Sequence, residues 1–140
     1  MNKVLIDTDI LLDFFYDRKP FSESAESILV LCEEAKIQGY TTSVIFSNCY
    51  YLLRKTAGHK KVVRQLRKLL QILDVLITDK KTLMEALDSE FNDFEDAIQN
   101  FSALSNDGVN IIVTRNTKDY KKSDLAVFTP DEFLAVYHSV

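Results

Sequence analysis

Asp7 and Asp9 close an apolar run, and Asp93 and Asp96 stand three positions apart; these four carboxylates are the residues best placed to do chemistry. The spacing of three puts Asp93 and Asp96 on one face of a helix. Thr114, Asn116 and Asp119 follow a second apolar run, and Ser43 and Asn48 follow a third. The set consists of carboxylates, amides and hydroxyls, with no His or Cys among them. Oxygen donors of this kind suit a hard divalent cation, Mg²⁺ or Mn²⁺. Without a cation, like charges brought together would raise one another's pKa and destabilise the fold. The plainer alternative is that each Asp only caps a helix or ends a strand. For Asp7 and Asp96 taken together, the metal reading is preferred, with the turn Asp7-Thr8-Asp9 as its corner.

Other nucleophilic chemistry has little to stand on. His59 and His138 read as surface residues with no acid–base partner, and no Ser or Cys is set beside a His, so a covalent mechanism is unsupported. Cys32 and Cys49 lie within apolar helical patterns and lack a ligand spacing. They read as buried, reduced core residues.

The elements that must position these groups follow from hydrophobic patterning. Lys3-Val4-Leu5-Ile6 reads as a buried strand, with a helix starting near Thr8 or Asp9 and breaking before Pro20. Ser22 is expected to cap a second helix that Gly39 ends. Residues 40–42 make a second strand. Ser43 then caps a helix closed by Gly58, and a further helix runs over 59–73. Val75-Leu76-Ile77 reads as a third buried strand. Thr78 or Asp79 caps a short helix, and Asn92 or Asp93 opens the helix 94–104, which Gly108 terminates. Strands over 109–113 and 125–128 precede a last helix begun by Thr129-Pro130-Asp131-Glu132.

Strands alternating with helices, each strand nearly continuously apolar, predict an α/β fold. We expect a single domain over residues 1–140 with three α/β/α layers and a central, mostly parallel sheet of four to five strands. Working groups in such sheets gather beyond the carboxyl ends of the strands. Asp7, Asp9, Ser43, Asn48, Thr114, Asn116 and Asp119 follow strands, and the helix opening at Asp93 would bring Asp93 and Asp96 to the same edge.

Composition sets the limits. The 140 residues are 46% hydrophobic and 27% charged, as in ordinary globular chains. Three Gly and two Pro leave no room for a flexible linker or a disordered reading. A net charge of −4 gives no global attraction to nucleic acid, so any phosphate contact must come from a local basic patch or from metal. No signal segment and no membrane-length apolar run is visible, which points to the cytoplasm and to no membrane partner.

Four stretches resemble the PIN domain family. Val4-Leu5-Ile6-Asp7-Thr8-Asp9-Ile10-Leu11-Leu12-Asp13 is similar to its opening. Asp93-Phe94-Glu95-Asp96-Ala97-Ile98-Gln99 is similar to its second signature, and Ile112-Val113-Thr114-Arg115-Asn116-Thr117-Lys118-Asp119-Tyr120 to its third. Phe128-Thr129-Pro130-Asp131-Glu132-Phe133-Leu134 resembles its ending. The motifs are individually weak, but their order and spacing span essentially the whole chain.

The resemblance implies a PIN-like sheet and a Mg²⁺- or Mn²⁺-dependent ribonuclease, very often the toxin half of a VapC-type toxin–antitoxin pair. The expected partners are therefore RNA, a protein antitoxin and a second copy or more of this chain. Carried over, Asp7 and Asp96 are the main metal ligands, Asn116 or Asp119 completes the site, and Thr114 orients a ligand or the attacking water. Asp9, Asn48 and Asp93 fall in supporting positions. Chemistry of this kind uses metal-activated water for attack on phosphorus. The sequence departs from the family where Asn48 and Asn116 replace expected carboxylates, which lowers the negative charge of the site and leaves its activity open. Among the basic residues Lys60, Arg64, Arg67 and Lys68, Lys60, Arg64 and either Arg67 or Lys68 share one helical stripe that reads either as a solvated face or as an RNA contact. Phe14, Phe15 and Tyr16 suit core packing better than base stacking. Two competing readings are a PIN-like binding module without catalysis and a haloacid dehalogenase-type phosphatase. The short length and the Asp93–Asp96 helix argue against the second.

Overall fold

The computed structural model describes residues 1–106 and 108–139. In chain order it contains β1 (Lys3–Ile6), α1 (Thr8–Phe15), α2 (Ser22–Glu33), β2 (Gln38–Thr42), α3 (Ser43–Leu53), α4 (His59–Leu70) and β3 (Leu73–Leu76). Then follow α5 (Lys80–Leu87), α6 (Phe94–Leu104), β4 (Ile111–Val113), a 3₁₀ turn (Thr117–Tyr120), β5 (Ala126–Phe128) and α7 (Pro130–His138). The five strands form one parallel sheet in the order β3-β2-β1-β4-β5.

β1 is central, and its consecutive residues Val4, Leu5 and Ile6 are all fully buried. A strand without alternation is what helices on both faces require. β1 pairs with β2 on one side and with β4 on the other, with Leu5 opposite Tyr40 and Ile112. The chain thus winds outward in both directions from the gap between β1 and β4. The carboxyl ends of these two strands are where an open α/β sheet forms its crevice.

Several helix ends differ from the patterning, for local reasons. Thr42, not Ser43, caps α3, its hydroxyl accepting from the Ile45 N–H at 3.1 Å. Ser22 caps nothing; its hydroxyl donates to Asp17 at 2.8 Å. α2 stops at Glu33, and the left-handed turn falls on Ala35 (φ 58°). Gly39 lies instead inside β2, where an added Cβ would stand 2.6 Å from both Cys32 Sγ and a Leu73 methyl. Gly58 opens α4; it does not close α3. α4 ends at Leu70, so Leu73 belongs to β3, which begins two residues before the expected strand. Val75 and Ile77 are exposed on this edge.

The other expectations have clear physical correlates. Asp79 and Asp93 cap α5 and α6 through the N–H groups of Thr82 and Asp96, each at 3.0 Å. Thr129 and Glu132 form a reciprocal capping box with Pro130 in the first turn of α7. Cys32 and Cys49 are buried free thiols, each pushed up to about 12 chiefly by desolvation. His59 and His138 are exposed, and His59 Nδ1 is 2.8 Å from the Tyr50 hydroxyl. No helix among the described residues is long and apolar enough to cross a membrane.

Candidate active site

Asp7 leaves the end of β1 as the N-cap of α1, where its Oδ1 accepts from the Thr8 N–H at 2.8 Å. Its backbone N–H extends the β1–β4 ladder to the Val113 carbonyl. This fixes it beside the end of β4. There the buried Thr114 hydroxyl donates to Asp7 Oδ2 at 2.9 Å. The Asn116 N–H in turn donates to the Thr114 hydroxyl at 3.1 Å, closing the turn after β4.

Asp96 arrives from the first turn of α6, and Tyr120 joins it to Asp7. The Tyr120 hydroxyl lies 3.3 Å from Asp7 Oδ2 and 3.3 Å from Asp96 Oδ1, and its ring is buried. One phenolic proton is shared between two carboxylates. Burial and the two negative charges push the phenol far above its ordinary value, so it remains a donor.

The electrostatics are those of crowded acids. Burial raises Asp7 above its ordinary value, the Asp119 charge adds to this, and the hydrogen bonds from Thr8, Thr114 and Tyr120 oppose it. Asp96 is pushed up to about 7 by burial and then by Asp7, Asp93 and Asp119. Asp9 is pushed up to about 6 by burial and by Asp7, against the pull of the Arg115 N–H and guanidinium. The polar contacts of Asp9 all reach Oδ2, from the Arg115 N–H at 3.0 Å and from Thr114 and the Asn116 amide at 3.4 Å. Its Oδ1 is buried with no partner.

These groups line an open cleft of about 540 Å³. Asp7, Asp9, Asn48, Asp93, Asp96, Asn116 and Asp119 all face it, while Thr114 stands behind Asp7. Of the basic stripe expected to contact RNA, Lys60, Arg64 and Arg67 do not line this cleft. Lys68 lines a different, largely apolar groove with Phe14 and Phe15. The cations at the cleft are Arg18 and Lys55.

Sequence reasoning missed three participants. Tyr120 lay inside a quoted motif but was given no role. Glu95 accepts from the Asn48 amide at 2.8 Å, so a carboxylate from α6 stands beside the α3 position where the family pattern expects one. Arg115 forms a two-pronged pair with the buried Asp13, at 2.6 and 3.1 Å, which ties the β4 turn to α1.

The central side chains Asp7, Asp96 and Asp119 offer oxygen ligands, like charges are crowded there, and the neighbouring Asp9 has one buried oxygen with no partner. A hard divalent cation answers all three conditions. Among the described residues no group of three or more His, Cys, Asp or Glu side chains forms a ready-made metal cage. Asp7 and Asp96, joined through Tyr120, are the two carboxylates such a cation would meet, and water would fill its remaining positions. Mg²⁺ is commonly held in that manner.

The PIN domain family pattern matches residues 3–118, and the chain belongs to this family. Among curated relatives, Ribonuclease VapC1 of Aquifex aeolicus (strain VF5) is 28% identical over 137 residues, 94% of this chain and 92% of that protein. Three solved structures share the fold. FitAB bound to the IR36 DNA fragment matches with a TM-score of 0.68 at 14% identity, covering 91% of this chain and 94% of that one. VapBC-1 from nontypeable Haemophilus influenzae gives 0.66 at 13% identity, covering 92% and 98%. VapBC2 from Rickettsia felis, bound to a DNA fragment from its promoter, gives 0.63 at 14% identity, covering 89% and 96%.

Proposed function

We propose that this chain is a Mg²⁺- or Mn²⁺-dependent endoribonuclease that hydrolyses RNA phosphodiester bonds, and the toxin member of a toxin–antitoxin pair. The observation that carries the reading is the buried Tyr120 hydroxyl shared between Asp7 and Asp96, two carboxylates that line an open cleft. Two carboxylates held this way leave an excess negative charge facing solvent, which suits a cation and does nothing for stability alone. The relative bearing the name ribonuclease and the fold neighbours in the VapBC and FitAB complexes support the same reading.

In this reading Asp7 and Asp96 would hold the cation, and Asp119, on the 3₁₀ turn, would add its charge from the same cleft. The bound cation supplies Lewis acidity toward water and the phosphate oxygen. Thr114 and Tyr120 keep the Asp7 and Asp96 oxygens aimed at the cleft. Asn116 and Asn48 present N–H groups to Asp9 and Glu95, so each amide steadies a carboxylate instead of replacing one. Asp93 caps α6 and adds to the field at Asp96.

Purified protein incubated with RNA and Mn²⁺ or Mg²⁺ is expected to cleave it, and Asp7→Asn and Asp96→Asn are expected to abolish cleavage. Cleavage that is absent, or undiminished in both variants, refutes the assignment. The two amides also favour a second reading, a PIN fold that binds partners without cutting. The same assay separates them, because a binding module gives no cleavage at any cation concentration.

A further inference from the structure

The catalytic cleft does not end at its carboxylates. A second hollow of about 240 Å³ adjoins it, and Asp93, Asp96 and Asp119 line both. These acids form a saddle between two arms. The larger arm carries Lys55, Arg18 and Tyr51, and the smaller carries Lys118, Lys121 and Lys122. The order along the surface is cations, carboxylates, cations, in a chain whose overall charge is negative. A flexible polyanion with a regular phosphate repeat matches this order, provided a cation sits at the saddle.

Two details favour an unpaired strand. Tyr51 is 68% exposed at the cleft, an aromatic face left to solvent. Such a face stacks an unpaired base, and the bases of a duplex are already stacked on each other. Lys122 is paired with Glu90 at 3.6 Å, but the two side chains are 52% and 81% exposed. A pair so exposed exchanges readily for a phosphate contact. Lys60, Arg64 and Arg67 line neither arm.

We propose that single-stranded RNA lies along this two-armed trough, with phosphates on Lys55 and Arg18 in one arm and on Lys118, Lys121 and Lys122 in the other. A base stacks on Tyr51, and the bond to be cut crosses the saddle of Asp96 and Asp119. This path rests on the ribonuclease reading for its substrate, but it is tested by binding.

The test uses a fluorescently labelled single-stranded RNA oligonucleotide on the chain with its carboxylates intact, with anisotropy read at several salt concentrations in Ca²⁺, a hard cation for the same oxygen donors used in place of Mg²⁺ to hold back cleavage. Adding Lys118→Ala, Lys121→Ala and Lys122→Ala together should weaken binding at least tenfold. It should also flatten the slope of log K against log salt by about 2, at ~0.7 per lost phosphate contact on a single strand. Tyr51→Ala should weaken binding roughly fivefold or more with the slope unchanged, as expected for a lost stacking contact. Lys60→Ala, Arg64→Ala and Arg67→Ala together should change neither quantity. The path is overturned if the Lys118 triple variant binds like its parent, if only the α4 variant loses affinity, if a duplex of the same sequence binds as tightly, or if the parent binds no RNA. Cleavage is scored separately in Mn²⁺ or Mg²⁺. Binding with the expected slopes but no cleavage refutes the nuclease reading and leaves the path standing. Cleavage with unchanged KM in the Lys118 triple variant refutes the path and leaves the nuclease reading standing.

Discussion

Asn48 donates its side-chain amide to the Glu95 carboxylate at 2.8 Å, across 47 positions of sequence. The pair returns to the α3 side of the cleft a negative charge that the sequence at position 48 lacks. Glu95→Gln is expected to weaken Mn²⁺ binding by about 1 kcal/mol, near fivefold, as one nearby charge is lost at high effective dielectric. Asn48→Glu should lower the melting temperature in EDTA, because it sets carboxylate against carboxylate. Asn48→Glu combined with Glu95→Gln swaps the two roles and should restore both stability and affinity. Titration calorimetry with Mn²⁺ checks this, and equal affinity for Glu95→Gln and the parent would count against it.

Tyr120→Phe removes the proton shared between Asp7 and Asp96 while keeping the ring that packs against Phe91. The two acids then face each other with one fewer donor. A loss of about 1–2 kcal/mol is expected in EDTA, as for a buried group deprived of its hydrogen bond. Mn²⁺ should recover part of it by taking over the neutralising role. Urea unfolding with and without the cation measures both numbers. An equal loss in the two conditions would mean that Tyr120 acts only as a core residue.

How far the sequence led can be traced residue by residue. Asp7 was legible because an apolar β-branched run ending in Asp marks a buried strand and its exit. The strand alternation was legible for the same reason, as was the convergence of Asp7, Asp96, Asn116 and Asp119 at the strand ends. β3 was misplaced by two residues because the stretch from Leu69 to Ile77 is apolar almost throughout and carries no phase of its own. Gly39 read as a helix stop because its real constraint, the Cys32 and Leu73 side chains against its Cα, is tertiary. Tyr120 and Glu95 could not be assigned, since their partners lie 24 to 113 and 47 positions away. The basic stripe of α4 was visible as a stripe, but its distance from the cleft was not.

The crowded acids set the pH response of the cation-free protein. Asp96 stands at about 7 and Asp9 at about 6, both above the ordinary 3.8, and Asp7 is also raised. A raised acid keeps its proton in the folded state after the unfolded chain has released it. The unfolded state thus binds fewer protons, and stability falls as pH rises. The decline starts near 4, where unfolded carboxylates titrate, and continues through about 6 at Asp9 and about 7 at Asp96, with Asp7 adding to it in the same direction. In EDTA the melting temperature should decline across this range. Saturating Mn²⁺ should reverse the trend, since the cation favours the charged forms and competes with protons. Scanning calorimetry at pH 4.5 and 7.5 decides it; a flat profile in EDTA would show that the acids titrate normally.

Arg115 and Asp13 provide the last case, where a pair that touches no substrate governs the site. Asp13 is fully buried, and Arg115 reaches both of its oxygens while stacking at 4.0 Å over Phe21. The adjoining Arg115 N–H holds Asp9, so the turn after β4 depends on this anchor. Among the described residues, Arg115→Ala leaves the buried carboxylate with Arg18, at 3.4 Å, as its one counter-charge. A loss of about 3 kcal/mol is expected, the lower end for breaking a buried pair. Replacing both residues, Asp13→Leu with Arg115→Met, should cost far less, because two desolvated charges disappear together. Any activity that falls in Arg115→Ala should then return in the double variant, provided the turn is held by packing alone. Denaturant unfolding and RNA cleavage measured on both variants separate the two contributions. If the double variant is folded but inactive, the guanidinium itself is what orders the turn that carries Thr114 and Asn116.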